Sequence, residues 1–108
     1  MASQGKLGSV LLSSGSNATV YTCPADHYAV VSTSVCNRTD LFTRVSIAIS
    51  DNTSPSDSEW IEYEMPLAQK NVIERSGLVV GPGQKIVAKA SEGGVSVVVY
   101  GIEQSQVL

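Results

Sequence analysis

The sequence predicts an all-β protein: an antiparallel β-sandwich, jelly-roll-like, of about eight strands. Three observations lead there. Val, Ile, Thr and aromatic residues are abundant, whereas Leu, Ala, Glu and Lys sustain no 3.6-residue pattern. Apolar residues instead alternate with a period of two in several short runs. Turn-forming Gly, Pro, Asn, Asp and Ser separate these runs at spacings of roughly 8 to 12 residues, and no helix is needed as a crossover.

Residues 1–16 carry Gly5, Gly8, Gly15, several serines and the patch Val10-Leu11-Leu12, which suits an N-terminal arm or an edge strand that pairs with a neighbour. The sandwich proper is expected over residues 17–103, followed by a loosely specified tail over 104–108. Ala18 to Cys23 reads as a strand, and Pro24-Ala25-Asp26-His27 supplies turn chemistry after it. From Tyr28 to Asn37, Ala29, Val31, Thr33 and Val35 share one face while Tyr28, Val30, Ser32, Ser34 and Cys36 share the other. Phe42 to Ser50 sends Val45, Ile47 and Ile49 inward and Arg44, Ser46 and Ala48 outward, the signature of a strand with one wet face. Asp51 to Ser58 is polar and interrupted by Pro55, so it reads as an exposed loop. Glu59 to Met65 alternates Ile61, Tyr63 and Met65 with Trp60, Glu62 and Glu64, and Pro66 is expected to end it. Asn71 to Arg75 and Leu78 to Val80 read as two short segments before the turn Gly81-Pro82-Gly83. Ile86 to Ala90 and Val95 to Ile102 flank Glu92-Gly93-Gly94, which reads as a hairpin-like connection. The last strand is nearly continuous in Val, which places it at a sheet centre.

Composition bounds the function. At 108 residues there is room for a single domain. Hydrophobic residues at 43% and charged residues at 16% describe a folding chain, not a disordered one. A net charge of −3, with Lys and Arg scattered among more numerous acids, argues against a nucleic-acid partner. No apolar run approaches the ~18 residues of a membrane span, and Met1 to Ser16 lacks the regions of a signal peptide. The expectation is therefore no membrane partner and no signal-peptide route.

No residue set compels a catalytic or metal assignment, and no enzyme activity or cofactor is expected. Cys23, His27 and Cys36 have ligand chemistry, but their spacing fits no common zinc site and a fourth ligand is missing. His27 is the single histidine and sits in a turn, without a nucleophile arranged beside it. Glu62 and Glu64 fall on one strand face at a separation suited to glycoside hydrolysis, yet any strand with a wet face shows the same alternation. Asp51, Asn52, Asp57 and Glu59 lack the regularity of a calcium loop. Asn17-Ala-Thr, Asn37-Arg-Thr and Asn52-Thr-Ser fit the glycosylation acceptor pattern and are read as turns. Gly81-Pro82-Gly83-Gln84 precedes a strand, so it offers no helix N-terminus to a phosphate.

Two cysteines leave three alternatives open: free thiols, an intrachain bridge or an intermolecular bridge. In a tight hairpin Cys23 and Cys36 would stand well over ~20 Å apart, beyond the ~7 Å Cα window of a disulfide, so an intrachain bond requires their strands to lie in different sheets. Trp60, placed on a polar face by the parity of its strand, reads as an interface anchor. Together Cys23, Cys36 and Trp60 are the candidate interface or intermolecular-disulfide residues. A carbohydrate-binding module stacking sugars on Trp60 and Tyr63 is the alternative of another class, and parity weighs against it by sending the two rings to opposite faces.

The segments Gly5-Lys-Leu-Gly-Ser, Val20-Tyr-Thr-Cys-Pro-Ala25, Val35-Cys-Asn-Arg38, Ile47-Ala-Ile-Ser-Asp51, Trp60-Ile-Glu-Tyr-Glu64, Ile73-Glu-Arg-Ser-Gly77 and Val97-Val-Val-Tyr-Gly-Ile-Glu103 carry a family likeness. In this order, over about residues 5 to 103, the chain resembles small β-structured virion proteins of tailed bacteriophages, of the head-decoration, neck and tail-accessory type. The resemblance implies a non-enzymatic structural role with no catalytic or metal residues to carry over. The leading expectation is a capsid decoration or cement protein on the outside of the head, with a neck, collar or tail-fibre attachment protein as the alternative. Its partners would be capsid or other virion proteins and further copies of itself, a homotrimer being favoured. It would be made in the host cytoplasm and end up on the virion. Thiols at Cys23 and Cys36 depart from the family pattern, which adds some weight to the intermolecular bridge beside the free-thiol reading.

Overall fold

The computed structural model describes the backbone of residues 2–106 and the side chains of residues 4–106. Eight strands follow one another: β1 (Ala2–Leu12), β2 (Ala18–Thr22), β3 (His27–Asn37), β4 (Thr43–Ser50), β5 (Trp60–Leu67), β6 (Val72–Val80), β7 (Lys85–Ala90) and β8 (Val95–Ser105). They form two four-stranded sheets, ordered β1-β8-β3-β6 and β2-β7-β4-β5. Every named pairing is antiparallel. The first strand pairs with the last, the second with the seventh, the third with the sixth and the fourth with the fifth. That nesting is a long hairpin rolled into two layers, the jelly roll that the sequence predicts.

Rolling has a topological consequence. Only β4 and β5 are consecutive strands paired in one sheet, so every other connection crosses from one layer to the other. Glu92-Gly93-Gly94 is therefore not a hairpin loop, because it leaves β7 in one sheet and enters β8 in the other. The Pro24–His27 turn makes the same kind of crossing, which puts β2 and β3 in different sheets.

Between the layers lie Val31, Val35, Val95, Val97 and Val99 from one sheet and Val45, Ile47, Ile86 and Ala88 from the other, all buried. Each fully buried Val or Ile contributes about 1.5–3 kcal/mol of transfer free energy. Their small branched side chains suit the pleated surface and let the sheets approach closely. The continuous Val run of β8 is explained by its central place between β1 and β3. Pro66 does not end β5; it pairs opposite Arg44 inside the strand, where an edge position spares it the missing N–H bond. The two segments expected before Gly81 are one strand, β6, with a register shift opposite Val31 and Thr33. Of the segment read as an arm or edge strand, β1 occupies Ala2–Leu12 at the edge of its sheet. β8 continues to Ser105, two residues into the segment read as a tail, and residues 107–108 lie outside the described residues.

Each end of the sandwich is closed by a polar latch between elements far apart in sequence. At one end the Tyr21 hydroxyl donates to Glu103 Oε2 at 2.6 Å, joining β2 to β8 across the layers. Burial, followed by this hydrogen bond, holds the Tyr21 phenol far above the ordinary tyrosine range. At the other end Asn37 is completely buried, and its Nδ2 donates to the carbonyls of Leu41 (2.7 Å), Ala68 (3.2 Å) and Leu67 (3.3 Å). Its Oδ1 accepts from the backbone N–H of Thr39 (3.0 Å) and the Thr39 hydroxyl (2.7 Å). A buried side chain cannot serve as the glycan acceptor its tripeptide suggests; Asn37 instead ties the β3–β4 loop to the chain leaving β5.

Both thiols are free. Cys23 is completely buried, and desolvation pushes its thiol up. A sulfur so enclosed cannot meet a partner's thiol in the folded chain, which removes Cys23 from the candidate interface set. Cys36 is half-buried on the outward face of β3 and stays accessible in part.

Candidate ligand-binding groove

Strand β5 lies at the edge of its sheet, and its pairing with β4 slips twice. Val45 faces Met65, Ile47 faces Glu62 and Ala48 faces Trp60, so β5 spends an extra residue at each step. These are β-bulges, which twist a strand and re-aim its side chains. Glu64 adopts a φ of +49° within the irregular stretch, and its N–H donates to Ser46 Oγ at 2.9 Å instead of to a strand carbonyl.

The bulges break the simple alternation. Trp60 is paired with outward-facing Ala48, and Tyr63, 65% exposed, joins it on the outer surface. Their ring centroids stand 5.7 Å apart with planes inclined at 60°. The expectation that the two rings point to opposite faces is thus overturned, and the physical cause is the inserted residue between them. Trp60 itself is half-buried rather than fully exposed. The supposed carboxylate pair is also divided: Glu62 is half-buried and receives Arg75 Nη1 at 2.6 Å from β6 of the other sheet, while Glu64 is exposed. An acid neutralised by an ion pair and turned away from its neighbour does not form the two-carboxylate constellation.

The loop after β4 completes the site. Asn17 Nδ2 donates to the Thr53 carbonyl at 3.2 Å, so the loop reaches the start of β2 at the far edge of the sheet. Outward-facing Ala48 and Val87 are completely buried beneath this region, which the wet-face reading of β4 did not anticipate. The chain returns through a short 3-10 turn, Asp57–Glu59, directly into Trp60. The Glu59 carboxylate holds that return: one oxygen accepts from the Ser50 hydroxyl and from the Ser56 N–H, both at 2.8 Å. Asp57, Trp60 and Tyr63 line the resulting groove, of about 430 Å³.

The Ser56 N–H, then the Ser50 hydroxyl, hold the Glu59 carboxyl below the ordinary glutamate range. A lowered pKa in the folded state means that the charged form supports the fold. The contribution is complete above the ordinary value near 4.3 and fades as pH falls through the lowered one. Trp60 emission should therefore shift to the red on acidification below about pH 4, and Glu59→Gln should remove that step. An unchanged acid step in Glu59→Gln would assign it to another group.

A second surface lies on the opposite side. Across the outer face of the other sheet, Ile102 on β8 faces Val30 on β3, which faces Val79 on β6. These residues are 49%, 44% and 63% exposed, forming a continuous apolar row. A parallel row runs Leu11, Ser96, Cys36, Val72. Among the described residues no group of three or more His, Cys, Asp or Glu could hold a metal ion. No helix among them is long and apolar enough to cross a membrane.

No family model matches the chain, and no curated protein sequence does. Among solved structures, a pentameric capsid protein isolated from metagenomic phage sequences aligns at a TM-score of 0.44 and 14% identity, over 91% of this chain and 61% of that one. An exo-β-1,3-galactanase from Phanerochaete chrysosporium aligns at 0.38 and 14% identity, over 93% of this chain and 29% of that one. The chain thus spans less than two thirds of the length of either protein.

Proposed function

We propose that the protein is a non-enzymatic structural component of a tailed-bacteriophage particle, a decoration or cement module on the outside of the capsid that works as a homo-oligomer, with a trimer favoured. The observation that carries this reading is the apolar row Ile102, Val30 and Val79 across the outer face of one sheet. An exposed apolar row across a sheet face is poorly suited to remain in water and well suited to bury against another subunit. The jelly-roll strand order and the sequence resemblance over residues 5 to 103 support the same reading, although a fold by itself does not select a function. Cys36, between Ser96 and Val72 in the parallel row and partly accessible, would be the thiol that bridges two copies.

Immunogold labelling of particles whose genome encodes the chain tests the role. Gold over the head is expected. Gold at the neck or tail would overturn the decoration role in favour of a collar or tail-fibre attachment protein, and particles without gold would overturn a virion role altogether. Light scattering of the purified chain tests the assembly: a trimer that Val30→Glu converts to monomer is expected, and monomer in the unaltered chain would overturn self-assembly through this face. Loss of assembly with reductant would assign the bridging to Cys36.

A further inference from the structure

We propose that the groove between Asp57, Trp60 and Tyr63 binds a neutral saccharide, with a pyranose ring against the aromatic pair and its hydroxyls donating to the Asp57 carboxylate. This goes beyond the structural role and does not depend on it.

The aromatic platform is built, not incidental. Trp60 is paired with Ala48 of β4, which is completely buried, and the Glu59 clasp fixes the chain immediately before it. Tyr63 projects from the bulge with 65% of its surface in water. At 5.7 Å and 60° the two rings are tilted against each other and not stacked in parallel. Aromatic side chains lose little conformational freedom on binding and present a rigid apolar face, which suits the apolar C–H face of a sugar ring. The groove, near 430 Å³, falls within the range of about 300–1,000 Å³ typical of small-molecule sites.

Asp57 selects among ligand classes. An ionised carboxylate is acceptor-only, and neither ion pair among the described residues uses Asp57. A purely apolar ligand would leave the carboxylate unmatched, and an anion would be repelled by it. Sugar hydroxyls satisfy it as donors. A quaternary ammonium also likes aromatic rings and a carboxylate, but it gains most where ring faces converge on one point and water is excluded. Here Tyr63 is mostly wet, so water is not excluded from the rings.

The chain contains one tryptophan, so intrinsic fluorescence reports on this groove directly. The full chain is screened on a glycan array and then titrated with the methyl glycosides of glucose, galactose, mannose and N-acetylglucosamine, with choline chloride as a separate arm. At least one glycoside is expected to give a saturable change in Trp60 emission, with a dissociation constant on the order of 0.1–10 mM. Tyr63→Ala and Asp57→Asn should weaken it by at least about tenfold, while Tyr63→Phe retains it. Tyr63 is exposed enough for its truncation to leave the urea midpoint unchanged, so lost binding is separable from lost folding. Three outcomes overturn the proposal: no glycan above background with no saturable change up to about 50 mM, saturation by choline but by no sugar, or affinity unaltered in Tyr63→Ala. None of these outcomes bears on where gold labels the particle, so the two readings fail separately.

Discussion

Replacing Asn37 by Asp is expected to remove roughly 3–5 kcal/mol of stability, a large share of the 5–15 kcal/mol that a domain of this kind has in total. The Asn37 amide nitrogen faces three backbone carbonyls, from Leu41, Leu67 and Ala68. Its carbonyl oxygen faces two donors, both from Thr39. Such one-sided surroundings fix which way the amide points and make the position intolerant of a carboxylate. An aspartate would place an oxygen, with no hydrogen to give, against three acceptors inside the fold. It would either remain charged and unpaired there or take up a proton, and both cost stability at neutral pH. Asn37→Ala avoids the charge but leaves carbonyls unsatisfied, so about 2–4 kcal/mol is expected. Urea unfolding at neutral pH measures both, and Asp should be the worse of the two. An Asp variant as stable as the parent would mean that water or a rearranged loop satisfies these carbonyls.

The latch also marks where the sequence was legible and where it was not. Period-two alternation located β3 and β4 and sorted their inward residues correctly, because those stretches are regular ladders whose parity holds from end to end, and the continuous Val run marked β8 as a central strand. The same parity misplaced Tyr63 and Glu62, because β5 takes on extra residues opposite Ile47 and Ala48. No glycine announces that irregularity; the left-handed residue there is Glu64, whose side chain has no preference for such a backbone. The slip brings Tyr63 beside Trp60 in the groove, so strand parity reads least well at the stretch that lines it. The connections were misread for another reason. A Gly-rich turn closes a hairpin and turns a corner between layers with the same chemistry, and only the complete pairing pattern separates the two. Asn37 matched a glycan-acceptor tripeptide by composition alone, whereas its role depends on carbonyls about thirty residues downstream, Leu67 and Ala68.

The two candidate surfaces lie on opposite outer faces of the sandwich, since one belongs to β8, β3 and β6 and the other to β5 beside β4. A module held through the apolar face would leave the groove turned away from its support, open to whatever approaches from solution. Structural attachment and saccharide capture are therefore compatible in one chain. Val30→Glu should disturb assembly and spare sugar binding, and Tyr63→Ala should do the reverse.

The second large effect is expected at Gly101, in the centre of the sheet that carries the apolar face. Gly101 sits between Gly5 on β1 and Val31 on β3, with a φ of +153°. A Cβ built there would enter the space of the Val30 carbonyl oxygen and lie 2.7 Å from the Val31 Cα, both backbone atoms of a neighbouring central strand. Neither can yield without moving β3, which also pairs with β6. Gly101→Ala is expected to cost about 2–5 kcal/mol, the sum of backbone strain and overpacking. Gly5, directly opposite, separates the two terms. Its φ of +106° is also one that side chains rarely adopt, yet a Cβ there meets nothing within 4 Å. Gly5→Ala should therefore cost only the strain, about 1–3 kcal/mol, and the difference between the variants in urea unfolding isolates the clash. If the two cost the same, the β3–β8 pairing has room to open at Gly101, and the close approach of these strands does not limit the fold.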